Sequence, residues 1–214
     1  MSSGEQRALP FITVDDAGQF VIGEEAAARL SEIDLPIAVV AVAGEYRTGK
    51  SYLMNLLKRD LPDENAAAAG ADQSSSGTDV VSDGFVVGHS VQACTKGVWL
   101  WGEPVEVEGK NMSIVFLDTE GLGSTQADPN YDARIFALAL LLGSTFVYNS
   151  RGTIDGQAID TLSLVVNLTK FIHLRANAHG NDNPNDVQEF HDYFPSLMWV
   201  VRDCTLELKT MGAN

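Results

Sequence analysis

A glycine-rich segment in the first quarter of the chain contains residue types that bind phosphate. It lies between an apolar run and a stretch of helical periodicity, and it fits the pattern G-x-x-x-x-G-K-[ST]. Glycines let successive backbone amides converge on phosphate oxygens, and the start of the following helix favours negative charge. Lys50 would bridge the terminal phosphates, and the Ser51 hydroxyl would bind Mg²⁺. The predicted phosphate loop consists of Gly44, Glu45, Tyr46, Arg47, Thr48, Gly49, Lys50 and Ser51.

An acidic turn follows a second apolar run. Asp118, Thr119, Glu120 and Gly121 come directly after the predicted strand at 113–117. Because Mg²⁺ keeps several water ligands, one carboxylate at the end of a strand beside a phosphate loop is enough to anchor its water shell. We predict Asp118 as that anchor, and Gly121 leaves room for its amide to approach the terminal phosphate. An ordinary acidic turn after a strand is the alternative interpretation.

Thr95 is a second candidate for Mg²⁺ binding. It precedes the predicted strand at 98–101, where a loop hydroxyl can bind the ion when a triphosphate is present. By itself this position is weak support, because threonine is common before strands.

The residues alone do not decide which base is bound. Kinases, ATPases and GTPases share the phosphate loop. A guanine base offers two adjacent donors that one carboxylate accepts together, but the chain has no Asn-Lys-x-Asp motif. Arg202 and Asp203 follow the predicted strand at 197–201, at the edge of the sheet where a base would be recognised. On this chemistry guanine and adenine remain almost equally favoured.

The elements that would position these residues alternate between strands and helices. Strands are predicted at 11–14, 36–43, 98–101, 113–117, 144–149 and 197–201. Helices are predicted near 24–30, after Ser51, and at 133–142 and 157–175. This order predicts an α/β fold of the P-loop NTPase class, with a Ras-like, doubly wound, mostly parallel sheet and helices on both faces.

Residues 63–84 differ in composition from the rest of the chain. They combine short alanine and serine runs with glycines and few large apolar residues, so they cannot bury enough surface to offset the entropy of ordering. We interpret them as a flexible surface insertion within a single domain that spans 1–214. A domain boundary is the less favoured alternative.

Composition and charge exclude several classes of protein. Of the residues, 45% are hydrophobic and 20% charged, as in ordinary globular proteins, and no apolar run approaches the ~20 residues of a spanning helix. A net charge of −15 argues against binding to nucleic acid or to anionic lipid. Two cysteines and no leader pattern indicate a cytoplasmic protein, without membrane insertion.

Several segments, taken together and in order, resemble the guanylate-binding protein family of large GTPases in the dynamin superfamily. Residues 44–55 resemble its phosphate loop, including the Tyr46-Arg47-Thr48 stretch that ordinary phosphate loops lack. Residues 95–101 and 118–123 resemble its first and second switches. The remaining matches are 136–139, 144–150, 152–154 and the Arg-Asp base motif at 199–203.

This resemblance implies magnesium-dependent hydrolysis of GTP to GDP, and nucleotide-dependent homodimers that pair face to face. It implies that Arg47 is an internal arginine finger, that Glu120 helps to organise the attacking water, and that Thr95 acts in the first switch. It also implies nucleotide contacts outside the phosphate loop, made by Val87, Gly88, His89, Asp118, Thr119, Glu120, Gly121, Leu122, Arg202 and Asp203.

Two departures from the family pattern keep an alternative open. Ala93 stands where animal members carry a serine that helps to position water, and the sequence ends soon after Arg202-Asp203, which suggests a domain truncated at its C-terminus. The alternative is a binding module that pairs on nucleotide binding but hydrolyses little. An ATPase is a third hypothesis, supported only by the generic phosphate loop.

Overall fold

The computed structural model describes residues 8–60, 85, 97–107, 109–119, 121, 129–154, 156, 158–160, 162–163, 167 and 194–205. Its strands are β1 (Ala8–Val14), β2 (Phe20–Ile22), β3 (Ile37–Gly44), β4 (Val98–Trp101), β5 (Val105–Glu106), β6 (Ser113–Thr119), β7 (Thr145–Arg151) and β8 (Ser196–Arg202). Its helices are α1 (Glu24–Ser31), α2 (Lys50–Asp60) and α3 (Pro129–Leu142).

The described strands form one sheet in the order β2-β1-β4-β6-β3-β7-β8, and β5 pairs with β6. The strands β6, β3, β7 and β8 run parallel to one another, whereas β2, β1, β4 and β5 extend the sheet by antiparallel pairing. The predicted P-loop NTPase fold is therefore confirmed. The structure also shows which part of the sheet is built from parallel pairs. It is the half that carries the phosphate loop.

β3 lies inside the sheet and is covered on both faces. Ala41 and Ala43 face a core that includes α1 and α3, whereas Val42 faces a second core that includes α2. Side chains alternate between the faces of a strand, so both alternating sets must be apolar. This double burial explains why β3 reads as a continuous apolar run.

An aromatic stack joins α3 to the last two parallel strands. The Phe136 ring lies 5.1 Å from that of Phe146 and 5.8 Å from that of Tyr148, measured between centroids. Tyr148 in turn meets Trp199 of β8 edge to face at 5.1 Å. Edge-to-face pairs add to the stabilisation from burial alone. The stack therefore fixes the end of β7 and its neighbour β8 against the body of the sheet.

Most of the predicted elements are present, with shifts of a few residues at their ends. β2 and β5 were not predicted; they are three and two residues long, too short for an alternating pattern to stand out. Of the predicted helix at 157–175, the described residues 158–160, 162–163 and 167 are helical. The insertion at 63–84 lies outside the described residues, and the single-domain organisation stays a prediction. Within the described parts of the chain, no helix is long and apolar enough to span a membrane.

We expect Phe136→Ala to lower the free energy of unfolding by about 3–5 kcal/mol, because it removes the centre of the aromatic stack and leaves a cavity. Phe136 is 1% exposed. Ile22→Ala, at a side chain that is 61% exposed, is the control and should change stability by less than about 0.5 kcal/mol. Urea unfolding followed by circular dichroism measures both. Equal losses in the two variants would contradict this account of the core.

Candidate functional site

The phosphate loop leaves β3 at Gly44 and enters α2 at Lys50. A Cβ atom on Gly44 would lie 2.0 Å from the backbone oxygen of Asn149, so no larger residue fits without moving β7. Inside the loop, the Thr48 hydroxyl and the Lys50 ammonium both donate to the carbonyl oxygen of Glu45, at 2.9 and 2.8 Å. These contacts close the loop into a compact turn. Its interior residues Thr48 and Lys50 are buried.

The carbonyl oxygen of Thr48 is anchored from the side of β7 and β8. Arg202 Nη1 donates to it at 2.7 Å, and Asn149 Nδ2 donates to it at 3.0 Å. A carbonyl oxygen has two lone pairs, so these two donors satisfy it fully. Asn149 is completely buried and also reaches the Thr48 hydroxyl at 3.3 Å. The two strands thereby hold the second half of the loop in place.

Asn149 was not assigned a site role from the sequence. It opens the polar last three residues of β7, and polar residues at the end of a strand are common and give no spacing pattern. The signal that could have found it is an amide that directly follows an apolar run, because an amide buried with that run requires hydrogen-bond partners. Arg202, by contrast, was predicted as part of the base motif, and the structure places its guanidinium on the phosphate loop.

Gly49 makes room for Arg202. A Cβ atom at this position would lie 1.9 Å from Arg202 Nη1, and the backbone φ of 79° is in the left-handed region that favours glycine. The second glycine of the pattern therefore serves the arginine contact as well as the tight turn.

Ser51 and Asp118 lie together at the mouth of the loop. The Ser51 hydroxyl donates to Asp118 Oδ2 at 2.5 Å, and Asp118 is fully buried near the end of β6. Thr119, the next residue, donates from its hydroxyl to the carbonyl oxygen of Val42 at 2.8 Å, which locks β6 to β3. A hydroxyl and a carboxylate are hard oxygen donors of the kind that Mg²⁺ prefers. The pair fits a magnesium site of few protein ligands.

Gly121, two residues after the end of β6, lies close to the phosphate loop. A Cβ atom on Gly121 would lie 2.5 Å from the Tyr46 Cα atom and 2.8 Å from Lys50 Nζ. The close approach foreseen for this glycine is therefore made to the backbone of the loop and to its lysine.

Arg47 lies exposed at the tip of the loop with a φ of 61°, beside exposed Glu45 and half-buried Tyr46. Left-handed backbone is uncommon for a residue with a side chain. The guanidinium projects from the loop without being part of its hydrogen-bonded interior.

The predicted base motif lies at the end of β8. Asp203 has a φ of 54°, and Arg151 Nε lies 3.0 Å from its Oδ2 atom. The amide of Gly152 donates to the carbonyl oxygen of Arg202 at 2.7 Å. Because β7 and β8 are parallel, with Arg151 paired to Arg202, both strands end at the same edge as the phosphate loop.

A further anchor involves Trp101, which lies in the segment predicted as the first switch. The Asn55 amide accepts from the Phe85 backbone N–H at 2.8 Å and donates to the Phe85 carbonyl oxygen at 3.0 Å. The Phe85 ring packs on Trp101, which Lys58 covers with its ammonium 3.5 Å from the ring centroid. This cluster fixes the chain two residues before Val87.

Other predicted site residues lie outside the described residues, and their placement stays a prediction. They are Val87, Gly88, His89, Ala93, Thr95, Glu120 and Leu122.

We expect Gly49→Ala to destabilise the fold more than Gly18→Ala, although both residues have left-handed backbone. Gly18 has a φ of 76° with no atom near its would-be Cβ, so only the backbone penalty of about 1–2 kcal/mol applies there. At Gly49 the flexible guanidinium of Arg202 must also leave Thr48, which costs a further ~1 kcal/mol or more.

A double-mutant cycle with Arg202→Met, measured by urea unfolding, isolates that second contribution. In the Arg202→Met background the two alanine substitutions should lower the free energy of unfolding by the same amount. If they already cost the same with Arg202 in place, then Gly49 does not serve the arginine contact.

Comparison with known proteins identifies the family. A sequence profile described as "Guanylate-binding protein, N-terminal domain" matches residues 17–214. The chain is 42% identical over 214 residues to guanylate-binding protein 6 of Homo sapiens, covering 99% of this chain and 30% of that protein. It is 43% identical over 206 residues to guanylate-binding protein 2 of Homo sapiens, covering 95% and 31%. Guanylate-binding protein 3 of Mus musculus is 46% identical over 130 residues, which cover 60% of this chain and 21% of that protein.

The chain spans less than a third of the length of these relatives. The family profile nevertheless matches more than nine-tenths of this chain, and the matched region contains the whole site described above. The chain therefore belongs to the guanylate-binding protein family, and it corresponds to the family's N-terminal domain.

Proposed function

We propose that this chain binds a guanine nucleotide and hydrolyses GTP with the help of Mg²⁺. The observation that carries the proposal is the convergence of three features at the carboxyl ends of the parallel strands. The phosphate loop follows β3, the Ser51–Asp118 pair lies at the end of β6, and Asp203 follows β8. In open α/β sheets, ligands bind in the crevice outside these strand ends.

The phosphate loop is suited to the two terminal phosphates. Its backbone amides and the first turn of α2 supply donors and a favourable dipole. The Lys50 ammonium lies in the loop, where it contacts the Glu45 carbonyl oxygen. It is a compact positive charge with three N–H donors and no acceptor, which suits it to phosphate oxygens. Gly121, packed over Tyr46 and Lys50, can bring its own amide to the same place.

The oxygen donors of Ser51 and Asp118 would hold the metal ion, with Thr95 as a further hydroxyl ligand from the first switch. When bound, Mg²⁺ neutralises charge that develops on the β- and γ-phosphates. The short hydrogen bond between Ser51 and Asp118 already brings the two ligands to one point. Asp118 is buried and held by β6, so its carboxylate does not have to be ordered on binding.

Arg47 is the proposed source of positive charge for the transition state. It lies at the exposed tip of the loop, on the same turn as Lys50, and its side chain is outside the network that stabilises the loop. A guanidinium placed against the transferring phosphoryl group stabilises the charge that develops there. Glu120, next to Asp118 in sequence, is the proposed residue that organises the attacking water.

Asp203 is the proposed reader of the base. Its carboxylate can accept from the two adjacent donors of guanine, N1–H and N2–H, whereas adenine offers no such pair. This preference favours GTP over ATP at the site. The name of these relatives, guanylate-binding protein, agrees with this choice.

Pairing of two such domains in the presence of nucleotide, in the cytoplasm, is part of the proposal. A second candidate function is a binding module with little hydrolysis. Ala93 favours it, because an alanine side chain cannot donate or accept a hydrogen bond where the resemblance to animal members of the family implies a serine hydroxyl.

We expect Arg47→Ala to lower kcat for GTP hydrolysis by roughly 10³-fold or more, while leaving the affinity for GDP within a few-fold. Arg29→Ala is the control, since this substitution removes the same charge from α1, where Arg29 forms an exposed pair with Glu32. Single-turnover phosphate release measures kcat, and titration of a fluorescent GDP analogue measures affinity. Equal turnover in both variants would remove Arg47 from the mechanism. Turnover at the buffer rate in the unsubstituted chain, despite tight binding, would favour the binding module.

We expect Asp203→Asn to weaken GDP binding by roughly 10- to 100-fold, because one charged acceptor is replaced by an amide that presents a donor to the guanine edge. Affinity for ADP should hardly change. Competition of GDP and ADP against a fluorescent nucleotide measures both constants. Similar affinities for GDP and ADP in the unsubstituted chain would indicate an ATPase or an unspecific nucleotide site.

A further inference from the structure

An ion pair joins the ends of β7 and β8 at the edge where the base is proposed to bind. Arg151 Nε lies 3.0 Å from Asp203 Oδ2, and the two side chains are 70% and 58% exposed. We propose that Arg151 is a positioning residue, which orients the carboxylate of Asp203 toward guanine. Arg151 thereby contributes to guanine selectivity. This inference rests on the proposed function of Asp203 as the reader of the base.

The backbone brings the two residues together. Arg151 and Arg202 are register partners in parallel strands, and the Gly152 amide extends the ladder by donating to the Arg202 carbonyl oxygen at 2.7 Å. Asp203 then turns away from β8 with a φ of 54°, in a left-handed conformation that aspartate tolerates better than most residues. The position of the pair is therefore set by the ends of two strands and not only by two flexible side chains.

The neighbouring arginine is committed elsewhere. Arg202 sends its guanidinium to the carbonyl oxygen of Thr48 at 2.7 Å, into the space that Gly49 leaves open. The cation that contacts the Asp203 carboxylate comes instead from the next strand. The two arginines therefore have different roles. Arg202 holds the phosphate loop, and Arg151 holds the carboxylate that reads the base.

The ion pair and the base can be bound at the same time. An ionised carboxylate has about four acceptor positions on its two oxygens. Arg151 uses one position on Oδ2, and the two donors of guanine require one further position on each oxygen. Arg151 restricts rotation of the carboxylate, so the base does not have to order it on binding. Because exposed ion pairs contribute little to folding, a substitution at Arg151 should leave the fold intact.

A charge effect and a positioning effect can be separated with inosine diphosphate, which lacks the 2-amino donor of guanine. If Arg151 only attracts phosphates, its loss weakens the binding of GDP and of inosine diphosphate equally. If it orients Asp203, its loss weakens mainly the guanine contact that uses both oxygens, and the preference for GDP falls. The ratio of the two dissociation constants is therefore the decisive readout.

The test uses the whole chain in Mg²⁺ buffer, with competition of GDP and inosine diphosphate against a fluorescent guanine nucleotide. The variants are Arg151→Met, Arg151→Lys and the control Arg29→Met, which loses an exposed arginine from the pair with Glu32. We expect Arg151→Met to lower the preference for GDP by about 3- to 5-fold. Arg151→Lys should restore part of the preference, and Arg29→Met should leave it unchanged.

An unchanged ratio in Arg151→Met, with guanine-selective binding in the parent chain, overturns this inference and leaves the proposed function standing. A parallel loss for both nucleotides also overturns it, because it indicates a general charge effect. A parent chain without guanine-selective binding overturns the proposed function and this inference together. Circular dichroism of each variant checks that the fold is retained.

Discussion

The carbonyl oxygen of Thr48 is the point on which the geometry of the site depends. It receives one donor from Asn149 of β7 and one from Arg202 of β8, and the second is charged and therefore the stronger. Contacts inside the loop hold the carbonyl oxygen of Glu45, whereas the carbonyl oxygen of Thr48 is held from outside the loop. In this protein, two strands of the sheet anchor the loop. Strands that lie beside β3 thus determine the shape of the loop that follows β3.

This dependence gives the aromatic stack a role beyond burial. Tyr148 and Trp199 sit edge to face and directly precede the parts of β7 and β8 that reach the site. Movement of either strand would displace Asn149 or Arg202 relative to Thr48. Packing around Phe136 therefore stabilises the phosphate loop at a distance from it, through two rigid strands and two hydrogen bonds.

The sequence was informative where a physical requirement leaves a pattern. Double burial of β3 produces a continuous apolar run, and close backbone approach produces glycines at fixed spacing, so the strand, the loop and the fold class could all be predicted. Ser51 and Asp118 were predicted from the chemistry of Mg²⁺ binding; the structure brings them into contact, and their role as metal ligands stays a prediction. The positions of Thr95 and Glu120 remain predictions, because they lie outside the described residues.

The remaining features of the site are long-range pairings, which leave no local pattern. Asn149 lies 101 residues from Thr48, and Arg202 lies 154 residues from it. Nothing near either residue indicates which carbonyl oxygen it will contact. The Arg151–Asp203 pair was missed for a related reason, since a charged residue at the end of a strand is common and its partner depends on the register of β7 and β8. The short strands β2 and β5 are specified mainly by the neighbours they pair with.

The side-chain amide of Asn55 binds Phe85 as a paired residue on a neighbouring strand would. It accepts from the backbone N–H of Phe85 and donates to the backbone carbonyl oxygen of the same residue. This clamp fixes the chain again soon after α2, at a point held further by Trp101. Lengthening a connection between two fixed points costs entropy only logarithmically. The number of residues between α2 and Phe85 can therefore change at little cost in loop-closure entropy.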